Sequence, residues 1–190
     1  MPARQWLLAI GALALALAIT PWLVVGARHS AAPAKLAPFV TTPQDVVERM
    51  LELAQVGPHD IVYDLGCGDG RLVITAAKKY GAHGVGVDFD PQRVLESRAN
   101  AKAAGVEDLV EFRDQDARTV DVSPATVVTL YLLNSSNLEL RPMLTRALKP
   151  GARIVSHKFG MGDWRPERTE IVPNTDSTIY LWRADGHVRP

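Results

Sequence analysis

Hydrophobic and polar positions follow two alternating periods along most of this chain. Short, mostly apolar runs predict buried strands at 60–65, 84–89, 109–113, 125–133, 153–158, 170–172 and 177–183. Between them, apolar residues recur at helical spacing over 71–80, 91–104 and 137–148. Val46, Val47, Met50, Leu51 and Ala54 give an earlier segment one apolar face, with Thr42 expected as its N-cap and Pro43 at its first position. Asp90 and Pro91 open another helix, Gly105 closes it, and Lys149-Pro150-Gly151 stops the last one. The run 125–133 is apolar almost throughout, as a central strand covered on both faces must be. Right-handed crossovers then predict an α/β fold, a doubly wound and mostly parallel seven-stranded sheet with ligands at the carboxyl ends of its strands.

Upstream the pattern changes. Residues 6–27 form a run of 22 without a formal charge, rich in alanine and leucine. As a helix rising about 1.5 Å per residue it would cross a hydrocarbon core of ~30 Å, with Trp6 and Trp22 suited to the interfaces. The expectation is a transmembrane anchor over 1–28, a linker over 29–40 and one catalytic domain over 41–190. A cleaved signal peptide, with Arg4 ahead of the run and Ser30-Ala31-Ala32 behind it, is the rival reading.

Charge narrows the partners. The 21 basic and 21 acidic residues leave no net excess, which argues against nucleic acid as the main partner. A single cysteine excludes an internal disulfide, and scattered histidines make no metal-ligand cluster, so no metal is expected. Over 139–168, Arg141, Arg146, Lys149, Arg153, Lys158, Arg165 and Arg168 outnumber Glu139, Asp163 and Glu167, a balance that would suit a face resting on anionic lipid.

The chemistry is concentrated where the first strand runs into Gly66, Gly68 and Gly70. Alternating glycines let the backbone turn sharply and approach a ligand, and the helix that follows aims free N–H groups at the same place. The dinucleotide fingerprint fails here, because its sixth position is Arg71 rather than glycine. Asp64-Leu-Gly-Cys-Gly-Asp-Gly-Arg71 instead resembles motif I of the class I methyltransferases, with a Rossmann-like fold and S-adenosyl-L-methionine as cofactor. That resemblance implies that Asp64, Gly66, Gly68 and Gly70 hold the methionine part and that Asp69 takes its amino group. Asp88 would bond both ribose hydroxyls, and Asp116 would meet the adenine amine.

The segments 39–51, 62–78, 84–91, 125–133, 148–164 and 178–182 together resemble one membrane-anchored family. It includes the mitochondrial lysine methyltransferases acting on the ATP synthase c-subunit and the adenine nucleotide translocator, with bacterial relatives. The resemblance implies methyl transfer to a lysine of a membrane protein; since S-adenosylmethionine is made and kept in the cytosol, the domain is expected to face the cytoplasm, or to sit at the mitochondrial inner membrane in a eukaryote. Bacterial members tend to carry proline after Leu-Tyr-Leu-Leu, where this chain has Asn134. Tyr131, Asn134 and Trp164 are candidates for an acceptor channel, and His157 or Asp163 for a proton acceptor. A lipid, quinone or other small-molecule acceptor, and a tethered cofactor-binding module without turnover, stay open as alternatives.

Overall fold

In the computed structural model, residues 36–190 are described. The expected anchor over 1–28 and residues 29–35 of the expected linker lie outside them. The described residues fall within one compact unit. No helix among them is long and apolar enough to cross a membrane.

Strands β1 (Ile61–Leu65), β2 (His83–Asp88), β3 (Val110–Asp114), β4 (Val127–Leu130), β5 (Arg153–His157), β6 (Arg168–Ile171) and β7 (Thr178–Arg183) form one sheet in the order β3-β2-β1-β4-β5-β7-β6. The first five run parallel, and β7 enters antiparallel between β5 and β6. The sheet is therefore mixed, as the expected mostly parallel arrangement requires. Helices α1 (Gln44–Leu53), α2 (Arg71–Tyr80) and α3 (Pro91–Ala104) share a core that includes Val46, Met50, Leu72, Val73 and Ala101. The other face packs Leu140 and Leu144 of α4 (Asn134–Ala147) against Tyr63, Val128 and Ile154. β4 is buried at every position, the burial that an apolar central strand needs.

Several element ends differ from expectation. Pro43 rather than Thr42 occupies the N-cap position of α1, with no side-chain cap; its carbonyl accepts the first helical bond from Val47 N at 3.0 Å. Thr42 lies one residue too early to cap, and its carbonyl instead accepts from Arg71 Nη1 at 2.8 Å. β4 stops at Leu130 because Tyr131 and Leu132 leave the sheet to line a cleft, and α4 begins at Asn134. A 3-10 turn, Ala117–Thr119, capped by the Asp116 side chain, fills the path from β3 to β4.

At the amino ends of the strands, Asp60 ties three segments together. It accepts from Thr126 Oγ1 at 2.6 Å and Gly57 N at 2.8 Å, and pairs with Arg153 at 2.7 Å. Burial opposes its charge, but these partners hold its carboxyl below the ordinary range.

Gly70 is where α2 must start. It sits at φ +79°, and a Cβ there would lie 2.7 Å from the Phe112 ring and 2.8 Å from Ser97 Cβ. The first contact wedges β3 and the second wedges α3, so a methyl group has nowhere to go. Gly70→Ala is expected to lower unfolding stability by about 2–4 kcal/mol, through left-handed strain and overpacking combined. Urea unfolding followed by circular dichroism reads the loss directly.

Candidate cofactor cleft and acceptor side

The sheet dictates where a cleft forms. From β1 the chain crosses by α2 to β2, while β4 on the other side of β1 is followed by α4 on the opposite face. Connections diverge at that point, and a crevice opens at the carboxyl ends of the strands. Its floor is Asp64, Gly66, Cys67 and Gly68; one wall is Asp88, Phe89, Gln115 and Asp116, and the other is Leu130, Tyr131 and Leu132. Residues 36–42 run across it as a strap. The space within, open mouth and adjoining solvent included, is about 1010 Å³.

Each acid in the cleft is held differently. Asp88 is fixed by the backbone: its Oδ2 accepts from Gly68 N at 2.9 Å and its Oδ1 from Asp90 N at 3.0 Å. Asp69 is desolvated, but Arg71 pairs with it at 2.5 Å and holds its carboxyl below the ordinary range. Arg118 does the same for Asp116 at 2.6 Å. Asp64 has neither arrangement. Thr129 Oγ1 donates to it at 2.7 Å, while burial, reinforced by the charges of Asp88 and Asp69, pushes its carboxyl up to about 7. It is the acid of the floor that no side-chain cation neutralises among the described residues.

Gly68 shows how closely the strap approaches. It lies at φ +55°, and a Cβ would fall 2.5 Å from the Phe39 ring. The Arg93 guanidinium lies over the Phe39 ring, 4.6 Å from its centroid. Residues 36–40, expected as linker, therefore form part of the cleft. Ser136 of α4 ties them down by donating to the Leu36 carbonyl.

Of the residues expected to hold a cofactor, Asp64, Gly66, Gly68, Asp69, Asp88 and Asp116 line this one cleft, whereas Gly70 does not and faces β3 and α3 instead. On the acceptor side only Tyr131 lines it. His157 stands behind Tyr131, ring centroids 4.0 Å apart, with its Nε2 at 2.8 Å from Ser177 Oγ. Burial, with the charge of Lys158, lowers its pKa to about 4, so it is neutral at physiological pH. Asn134 is turned to the segment after β5, where its Oδ1 accepts from Gly160 N at 3.1 Å. The Asp163 side chain is 90% exposed and pairs with Arg141. Trp164 packs on Trp182 at 6.1 Å beneath the Arg189 guanidinium. Short sequence spacing to Tyr131 or to the glycine turn could not show these placements, because each partner is a long-range one. Within the basic stretch, Arg141, Arg153 and Arg168 pair with Asp163, Asp60 and Glu170.

Sequence reasoning did not single out Thr129, Leu132, Arg93, Gln115 or Arg118. Thr129 left one signal, as a polar residue inside an otherwise apolar run.

A buried acid without a cation, a turn with glycine at 66 and 68 on the cleft floor and an acid at the end of β2 together fit a cationic, ribose-bearing ligand. Comparison with known proteins agrees. A family model described as the ANTKMT methyltransferase domain matches residues 64–168. A protein-lysine N-methyltransferase of Saccharolobus islandicus is 45% identical over 79% of this chain and 95% of its own length. The human lysine N-methyltransferase of the ATP synthase c-subunit is 32% identical over 77% of this chain, which spans 61% of that protein. A crystal structure described as an RNA methyltransferase from Salinibacter ruber in complex with S-adenosyl-L-homocysteine has 53% identity and a TM-score of 0.76, covering 79% of this chain and 97% of that one.

The state of Asp64 is measurable. A cation entering the floor favours its ionised form, so calorimetric affinity for S-adenosylmethionine should rise about tenfold from pH 6 to pH 8 as the carboxyl titrates through about 7. Asp64→Asn should bind more weakly and flatten that dependence.

Proposed function

The chain belongs to the ANTKMT methyltransferase-domain family, and we propose that it transfers a methyl group from S-adenosylmethionine to a lysine amine of a protein. The observation that carries the acceptor class is the likeness to the Saccharolobus protein-lysine N-methyltransferase, 45% identical over 95% of that protein. Membrane attachment through residues 1–28, a cytoplasmic catalytic domain and a membrane-protein substrate belong to this proposal. Their support is the apolar run over 6–27 and the likeness to the human enzyme named for the ATP synthase c-subunit.

When bound, the cofactor supplies a methyl group on a positively charged sulfonium, open to in-line attack by a lone pair. The chain's residues bind and orient. Asp64 offers a negative charge on the floor once it gives up its proton. Asp88, its carboxylate held by two backbone amides, presents a fixed acceptor at the end of β2. Holding two reactants in register contributes roughly 7–11 kcal/mol at best.

The lysine nitrogen must arrive without its extra proton. Losing it at pH ~7 costs about 4–5 kcal/mol from an ordinary pKa near 10.4. Leu130 and Leu132, beside Tyr131, line the cleft with apolar surface whose desolvation disfavours an ammonium. As the N–C bond forms and the C–S bond breaks, the positive charge passes to nitrogen, and the surplus proton leaves to solvent. His157 is walled off behind Tyr131, so the released proton is not assigned to it.

The name of the Salinibacter relative favours RNA as a second acceptor class. The balanced charge of this chain weighs against it. The deciding assay incubates the full chain with methyl-labelled S-adenosylmethionine and a total extract of a strain lacking the gene. Label resistant to ribonuclease and mapped by mass spectrometry to lysine is expected, with a loss of at least tenfold in Asp88→Ala. Label released by ribonuclease, or extracting with lipid, would replace the lysine reading.

A further inference from the structure

Three buried side-chain atoms have no hydrogen-bond partner among the described residues: Asn137 Oδ1, Arg141 Nε and His157 Nδ1. All three lie where α4 meets the segment leaving β5. None of them lines the cleft, and the chemistry above uses none of them.

The junction is built from one side of a helix. Asn134, Asn137 and Arg141 follow at helical spacing along α4 and face residues 159–161. Asn137 is fully buried, and its amide nitrogen donates to Ser156 Oγ at 3.1 Å, Phe159 O at 3.1 Å and Gly160 O at 3.2 Å. Asn134 Oδ1 accepts from Gly160 N at 3.1 Å, and Arg141 Nη1 donates to Met161 O at 2.9 Å. The Asn137 amide thus directs its nitrogen at the end of β5 and the segment after it, and its oxygen has no partner among the described residues. Buried polar groups normally find partners, so the three bonds made by the Asn137 nitrogen mark where this side chain is committed.

The segment needs holding. Lys158 sits at φ +63°, a left-handed conformation that side chains other than glycine adopt at a cost. That residue reverses the chain out of β5, and Phe159 N closes back on His157 O at 2.8 Å. The reversal lays the Phe159 ring 6.3 Å from the Tyr131 ring at an interplanar angle of 23°. Tyr131 is the wall of the cleft beside its mouth.

We propose that Asn137, seconded by Asn134, is a positioning residue for the methyl acceptor: by fixing the backbone of Phe159 and Gly160 it sets Phe159 against Tyr131 and so completes the aromatic wall that an acceptor side chain passes. Neither asparagine touches the reacting atoms. The inference rests on the methyl-transfer reading and locates acceptor selection on α4 and the segment after β5, apart from cofactor binding.

The test uses the full chain, labelled S-adenosylmethionine at saturation, and total protein extract of a strain lacking the gene as the titrated acceptor. Asn137→Ala and Asn134→Ala should bind S-adenosyl-L-homocysteine within about twofold of the unaltered protein, while the half-saturating extract concentration rises about tenfold and threefold. In a Phe159→Leu background neither change should add a further loss, because both act through that ring. Half-saturation unchanged in both variants, additive losses in the Phe159→Leu background, or weakened S-adenosyl-L-homocysteine binding by the exposed Asn134→Ala would each overturn the proposal. If the unaltered protein binds S-adenosyl-L-homocysteine but labels nothing, the lysine reading falls and amide hydrogen exchange decides the positioning role. Faster exchange over 158–161 in Asn137→Ala would uphold it, and unchanged exchange would overturn it.

Discussion

β1 pairs in parallel with β2 on one side and β4 on the other, and the cleft depends on that double pairing. Its register sets Asp64 opposite Gly86 of β2 and Thr129 of β4. Glycine on one side leaves room for Phe112 and Cys67, since a Cβ at position 86 would lie 2.6 Å from the Phe112 ring and 2.9 Å from Cys67 Sγ, and threonine on the other donates its hydroxyl to Asp64. Because strands in register end at one level, the glycine turn after β1, Asp88 of β2 and Tyr131 after β4 converge without long connecting loops. A slip of a single residue in either ladder would turn Asp64 to the other face.

The two halves of the site are built by different means. On the cofactor side, several acids are held locally: Asp88 Oδ1 accepts from Asp90 N, and Asp69 and Asp116 each pair with an arginine two residues on, while Gly68 N and Thr129 add longer-range bonds to Asp88 and Asp64. On the acceptor side, contacts span long stretches of chain. Asn134 reaches Gly160, His157 reaches Ser177, and Ser136 reaches back to Leu36. Local geometry can be preserved while distant contacts change, so a single cofactor half can serve different acceptor halves.

That division also explains what could be read from the residues alone. Strand periodicity, the glycine turn and acids at successive strand ends are short-range patterns, and they located the sheet and most of the cofactor cleft. Gly70 falls in the same turn yet faces inward, a distinction set by α3 and β3 rather than by spacing. The unneutralised state of Asp64 depends on which acids acquire arginines, a matter of side-chain direction. His157, Asp163 and Trp164 lie close in sequence but take partners as different as Ser177, Arg141 and Trp182. Residues 36–40 carry no helix or strand signal, and only their packing against Gly68 and Ser136 makes them a strap.

The place of β7 has a consequence for synthesis on the ribosome. β6 leaves the exit before β7, yet among the described strands its sheet neighbour is β7. Until Thr178–Arg183 emerges, β6 has no seat and the edge of β5 stays unpaired beside a buried, mostly apolar strand. β1 to β3 can meanwhile pair with one another, because their contacts are complete once residue 114 has been made. The nascent chain would therefore hold much of its cofactor half before it can close its sheet, with an open edge of the kind that chaperones cover and that aggregation exploits. Insertion of β7, with Trp182 buried beside Trp164, is the event that ends that exposure.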